Sequence, residues 1–152
     1  VHGVLPLGVC VNKLISRERR HVHPSEGAAV RDFRELKVWE KAHHLVVAVY
    51  KSTAVFPDRE AYGLTSQMRR CAVSIPANIA EGCGRRGDPE LAHFLGIAMG
   101  SASELEYYIL LTRELEILAE ADATVLMERV VEVKRMLAAF LQKLKPPEGR
   151  PT

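Results

Sequence analysis

The sequence predicts an all-α protein, an antiparallel up-down-up-down four-helix bundle, and three observations predict it. Four successive segments repeat apolar residues at steps of three and four, the period that lines one face of a helix. The links between them are short and carry Pro, Gly or Asp, which sets consecutive helices side by side and antiparallel. No segment alternates apolar and polar residues over the length of a strand. With 152 residues, 47% apolar and 26% charged, the chain has globular composition and room for one bundle with flanking segments. No apolar run approaches the ~20 residues that span a bilayer, so no membrane contact is expected.

Residues 1–31 mix Gly, Pro, His and Arg without period and are expected to form a poorly ordered arm. Val4 to Val11 is apolar, but no Lys or Arg precedes it and no small-residue cleavage site follows, so it does not read as an export leader. Residues 32–145 carry the bundle. Asp32 and Glu35 have capping-box spacing ahead of the first helix. Its expected seam is Leu36, Trp39, His43, Val46, Tyr50 and Thr53, widened by Val38, Ala42, Leu45 and Val49, and Phe56-Pro57-Asp58 ends it. The second helix is expected from Leu64 to Glu81, its face built by Leu64, Met68, Cys71, Ile75 and Ile79, with a kink or break at Pro76 and a stop at Gly82.

Asp88-Pro89 reads as an N-cap with proline at the first helical position, opening a third helix that runs to about Leu118. Leu91, Phe94, Ala98, Ser101, Leu105, Tyr108 and Thr112 form its seam, flanked by Leu95, Ala102 and Ile109. A second stripe of small residues, Ala92, Gly96, Gly100 and Ser103, would let another helix or subunit approach closely, which would offset the roughly 1 kcal/mol that each mid-helix glycine costs. Asp122 is the expected cap of the fourth helix, whose Leu126, Val130, Val133, Leu137, Phe140 and Leu144 make a heptad seam. Pro146-Pro147 ends it and opens a tail, 146–152.

Three cysteines, Cys10, Cys71 and Cys83, without CxxC spacing suggest neither a disulfide framework nor a zinc knuckle, and a reducing cytoplasm is the expected home. Between Phe33 and Lys145 basic and acidic residues are equal, fifteen of each, so net charge does not argue for nucleic acid. The sharpest enzyme reading is a di-metal carboxylate bundle, because Glu40/His43 and Glu90/His93 share Glu-x-x-His spacing. It lacks a matching acid between Leu137 and Leu144, so no metal, cofactor or small-molecule substrate is expected. No nucleophile elbow or HExxH occurs, and no catalytic residue is assigned. Cys83, between two glycines and before Arg85 and Arg86, has the surroundings of a thiol with a lowered pKa, against the commoner reading of an incidental cysteine.

A local basic cluster remains: Arg69 and Arg70 in the second helix, Arg85 and Arg86 after it. Their spacing puts the pairs near opposite ends of one element, so only repeated copies in an oligomer would join them into stripes that track phosphates. The competing expectation is that Arg69 and Arg70 pair with acids such as Glu81 or Glu104. Tyr107 and Tyr108 are candidate exposed aromatics for protein contacts.

Tyr62 to Gly82, with Asp32 to Trp39, Gly84-Arg85-Arg86 and Gly100 to Glu106, resembles the bacterial four-helix-bundle proteins named for intervening sequences in 23S ribosomal RNA genes. The resemblance covers about 32–144 and includes the in-helix proline. It implies a bundle assembled with itself into a ring, commonly a homopentamer, without known catalysis, and it places basic residues at Arg69, Arg70 and Arg85. The resemblance also implies a related branch, the accessory proteins of diversity-generating retroelements, which looks like a basic barrel that binds nucleic acid and a reverse transcriptase; the neutral 33–145 core departs from it. The sequence therefore leads to a non-enzymatic homo-oligomer contacting structured RNA or a ribonucleoprotein through repeated arginines, with a protein assembly scaffold as the alternative.

Overall fold

In the computed structural model the described residues are 31–145; the arm expected over 1–31, apart from Arg31, and the tail at 146–152 lie outside them. Four helices follow in order: α1 (Lys37–Thr53), α2 (Leu64–Gly84), α3 (Asp88–Glu114) and α4 (Glu120–Leu144). Single 3-10 turns at Phe33–Glu35 and Asp58–Glu60 precede α1 and α2, and there is no strand among the described residues. Each helix packs on two neighbours, α1 and α3 both on α2 and α4, and neither diagonal pair packs directly. That square, joined by short links, is the up-down-up-down bundle.

The core is aliphatic. Leu45 and Val49 from α1, Met68, Ile75 and Ile79 from α2, Leu95, Leu105 and Ile109 from α3, and Leu126, Val130, Val133 and Leu137 from α4 are fully buried. The heptad expected in α4 is buried through Leu137, with Phe140 and Leu144 half-buried at its end. The expected α1 seam is rotated by one position. Val38, Ala42, Leu45, Val49 and Thr53 face the core, while His43 and Tyr50 are exposed and Trp39 and Val46 are half-buried. Both lines have helical period one residue apart; the smaller one lets α2 and α4 come close. The displaced aromatics pack on one another instead, Phe33 against Trp39 at 4.9 Å between ring centroids and His43 stacked on Trp39 at 5.2 Å.

Several expected termini move. Asp32 Oδ1 accepts from the Arg34 backbone N–H at 3.0 Å and so caps the 3-10 turn; Leu36 occupies the N-cap of α1. The fourth helix starts at Glu120 rather than after Asp122, which sits in the first turn where an acid suits the dipole. Gly87, with φ +83°, precedes α3, and Asp88 is its first residue. The third helix stops at Glu114, short of Leu118, in a Schellman motif. Glu116 adopts φ +56°, its N–H donates to the Arg113 carbonyl at 3.0 Å, and the Ile117 N–H reaches back to the Thr112 carbonyl at 3.0 Å. A non-glycine in that position hides the stop from the sequence.

The break expected at Pro76 does not occur, because α2 runs through it with Pro76 buried between Ile75 and Ile79. Asn78 braces this turn, its Nδ2 donating to the Ser74 carbonyl at 2.8 Å and to Ser74 Oγ at 3.0 Å. Nor does Gly82 stop the helix; it is buried inside the last turn of α2, where α3 crosses. A Cβ on Gly82 would lie 3.0 Å from Leu91 Cδ1 and 3.0 Å from Phe94 Cβ. Close approach, not the left-handed cap conformation, is the reason for glycine there.

Candidate functional site

The four arginines singled out in the sequence fall into two places. Arg69 and Arg70 follow the buried Met68, so the helical rotation carries Arg69 to the edge facing α1 and Arg70 outward. Arg69 Nε donates to Thr53 Oγ1 at 2.9 Å, and the Thr53 hydroxyl in turn donates to the Val49 carbonyl at 2.8 Å. Its guanidinium carbon stands 4.7 Å from the centroid of the Tyr50 ring. These partners are neutral. They hold the charge in position without neutralising it, and among the described residues no acceptor meets the terminal nitrogens of Arg69. Arg70 bonds Gln67 Oε1 through Nη2 at 2.7 Å and Nε at 3.2 Å, and reaches Glu104 Oε1 at 3.4 Å. Of the expected acid pairs only this loose contact to Glu104 is made.

Arg85 lies at the far end of α2, ~24 Å along the helix at 1.5 Å per residue. Glu81 accepts from it, and its guanidinium lies 5.2 Å from the Phe94 ring centroid. Beside it, Arg31 pairs with Asp88 at 2.9 Å. Arg86 is exposed and has no ion pair among the described residues. The chain therefore does not join the two arginine pairs, and Glu81 offsets part of the charge of Arg85.

Around Arg69 and Arg70 lies a groove of about 580 Å³, lined by Tyr50, Ala61, Tyr62, Thr65, Ser66, Val73 and Ser74 as well as the two arginines. Tyr62 is 97% exposed. Thr65 Oγ1 is buried under the same wall and has no hydrogen-bond partner among the described residues. Helical period alone assigns Tyr50 to the core and gives no weight to Tyr62. The chain reversal at Phe56-Pro57-Asp58 is the one signal in the sequence for Tyr62, since it returns the chain to the end of α2 that carries Arg69; no spacing marks Tyr50 as exposed.

The remaining candidates resolve differently. Burial pushes the Cys83 thiol up, against a smaller downward pull from Arg31, so it is not the activated thiol its sequence surroundings suggested. Burial, with Glu104 nearby, pushes Cys71 up to about 12. The Cys71 proton stays on in the folded chain at a pH where an unfolded thiol, of pKa ~8.5, has lost it. The folded state then binds more protons than the unfolded one, so this contribution to stability is full below pH ~8 and is lost as pH rises towards 12. Tm is expected to fall on going from pH 8 to 10.5, and Cys71→Ala to fall less steeply; parallel curves would contradict the burial of that thiol.

Glu40 accepts from Lys37 Nζ at 2.7 Å, and the two Glu-x-x-His pairs stand on α1 and α3, which do not pack directly. Among the described residues no three His, Cys, Asp or Glu side chains converge as metal ligands. Gly96, Gly100 and Ser103 lie exposed on the outer face of α3, and a Cβ on either glycine would meet nothing within 4 Å. The close packing expected at this stripe is not made among the described residues. No helix among the described residues is long and apolar enough to cross a membrane.

Residues 34–139 match a family profile described as 23S rRNA-intervening sequence protein. A solved structure from Bacteroides thetaiotaomicron, titled a protein with unknown function from the S23 ribosomal protein family, is 22% identical. It superposes with a TM-score of 0.63 over 69% of this chain and 98% of its own. At that identity the likeness speaks for the fold. No curated protein matches the sequence.

Proposed function

Because the chain belongs to the 23S rRNA-intervening sequence protein family, we propose that it is a non-enzymatic, self-assembling helical bundle that contacts structured RNA through arginine. One observation carries this reading. Arg69 is held in place by Thr53 and Tyr50, both neutral, so a fixed guanidinium with unspent donors faces an open groove beside Arg70. Such a group suits a phosphate oxygen, since the hydrogen bonds that orient it leave its charge intact. Assembly into a ring, the pentamer that the resemblance implies, would repeat the groove around the particle and multiply weak phosphate contacts.

A filter-binding titration of a structured ribosomal RNA fragment across salt tests it. Affinity is expected to fall steeply with salt, because each phosphate contact releases counterions. Replacing Arg69 and Arg70 by Gln is expected to weaken binding and to flatten the salt slope by ~1 for each phosphate that is no longer neutralised. Arg85→Gln should do less, its charge being held by Glu81. Absence of binding at low salt, or an unchanged slope in the Arg69/Arg70 variant, would remove the reading.

A second reading, assembly without nucleic acid, has its own support. The outer face of α3 presents Gly96, Ile97, Gly100, Ser103, Tyr107 and Leu110 at or near the surface, with Glu104 the one charge among them. A helix face of that length with a single charge suits contact with another protein surface. A molar mass by light scattering that stays at one subunit would count against it.

A further inference from the structure

The groove beside Arg69 has an aromatic wall as well as a charge. Tyr62 stands in the reversal between α1 and α2, a turn pinned on both sides by backbone bonds: the Ala61 N–H to the Asp58 carbonyl at 3.0 Å and the Gly63 N–H to the Glu60 carbonyl at 3.1 Å. A tyrosine has few side-chain torsions, so ordering its ring on a base costs little entropy. It packs on nothing among the described residues, being 97% exposed. The groove it lines, about 580 Å³, also holds Arg69 over the Tyr50 ring and the outward Arg70. An aromatic face and two guanidinium groups around one concavity match the two parts of a nucleotide, a flat base and a phosphate. In a duplex the base faces are already stacked on each other, so this platform can engage a base only where it is unpaired.

We propose that the groove takes an unpaired nucleotide of RNA, its phosphate held between Arg69 and Arg70 and its base stacked on Tyr62, so that the protein selects single-stranded over duplex segments. The inference rests on the RNA-contacting reading and adds to it the kind of RNA recognised. Glu104, the acid that reaches Arg70, is exposed and 3.4 Å away, a contact that a phosphate displaces.

Fluorescence anisotropy of the full chain with a short labelled oligouridine and a blunt RNA duplex of equal length tests it. The single strand is expected to bind about tenfold more tightly than the duplex, in line with the gain from stacking one base. Tyr62→Ala, which removes a side chain that packs on nothing among the described residues, is expected to abolish that difference, and Tyr62→Phe to keep it. Equal binding of strand and duplex by the unaltered protein, or an unaffected Tyr62→Ala, overturns the inference and leaves phosphate contact standing. Failure of both RNAs to bind at low salt overturns the RNA-contacting reading and the inference with it.

Discussion

Gly82→Leu is expected to destabilise the bundle by roughly 3 kcal/mol, near the upper end of what overpacking a core costs. Gly82 is where α3 crosses close to α2, and even a methyl group there would press on Leu91 Cδ1 and Phe94 Cβ at 3.0 Å. The Leu91 terminal carbon can swing aside, but the Phe94 Cβ is fixed to its backbone, so α3 must shift. Alanine gains about 1 kcal/mol of helix propensity over glycine, which offsets much of the smaller clash. Gly82→Ala is therefore expected to be mildly destabilising and Gly82→Leu severely so. Gly100 supplies the opposite sign: it has helical backbone and open space around a Cβ, so Gly100→Ala should stabilise an isolated subunit by about 0.5–1 kcal/mol. Chemical denaturation of the three variants measures this order, and a Gly82→Leu protein as stable as the parent would show that α3 does not cross α2 there.

Much of the architecture was legible because it rests on period. Leu126, Val130, Val133 and Leu137 could be placed in the core from spacing alone, and so could Met68, Ile75 and Ile79. What spacing could not decide is which of two adjacent lines with the same period turns inward. In α1 the large residues draw the expectation to Trp39, His43 and Tyr50, yet the small Ala42 sits where helices approach. The candidate site depends on that difference, since an exposed Tyr50 is what positions Arg69. Gly82 misleads in a related way: glycine signals both a helix stop and a close approach, and only the position of α3 separates them. The Thr53 hydroxyl that fixes Arg69 lies sixteen residues away in sequence, with no local pattern to connect them.

Leu105→Ala and Leu110→Ala, both on α3, are expected to differ by several-fold in cost. Leu105 is fully buried, in the helix that packs on both α2 and α4. Truncating it removes transfer free energy and leaves a cavity between helices held apart by their other side chains, so a loss of about 2–5 kcal/mol is expected. At this size that lowers Tm by roughly 5–20 °C. Leu110 is 37% exposed on the outer face and in a single subunit loses less, below about 1.5 kcal/mol, since much of its surface is already in water. If subunits meet along α3, Leu110 becomes part of a second apolar layer. Its truncation then costs more at high protein concentration than at low, because the penalty falls on association. Leu105→Ala carries no such dependence on its own account. Measuring both variants by thermal denaturation over a wide range of concentration separates the layer within the subunit from the layer between subunits. A Leu110→Ala cost that is small and independent of concentration would exclude the outer face of α3 as the assembly surface, while a small cost for Leu105→Ala would contradict the bundle itself.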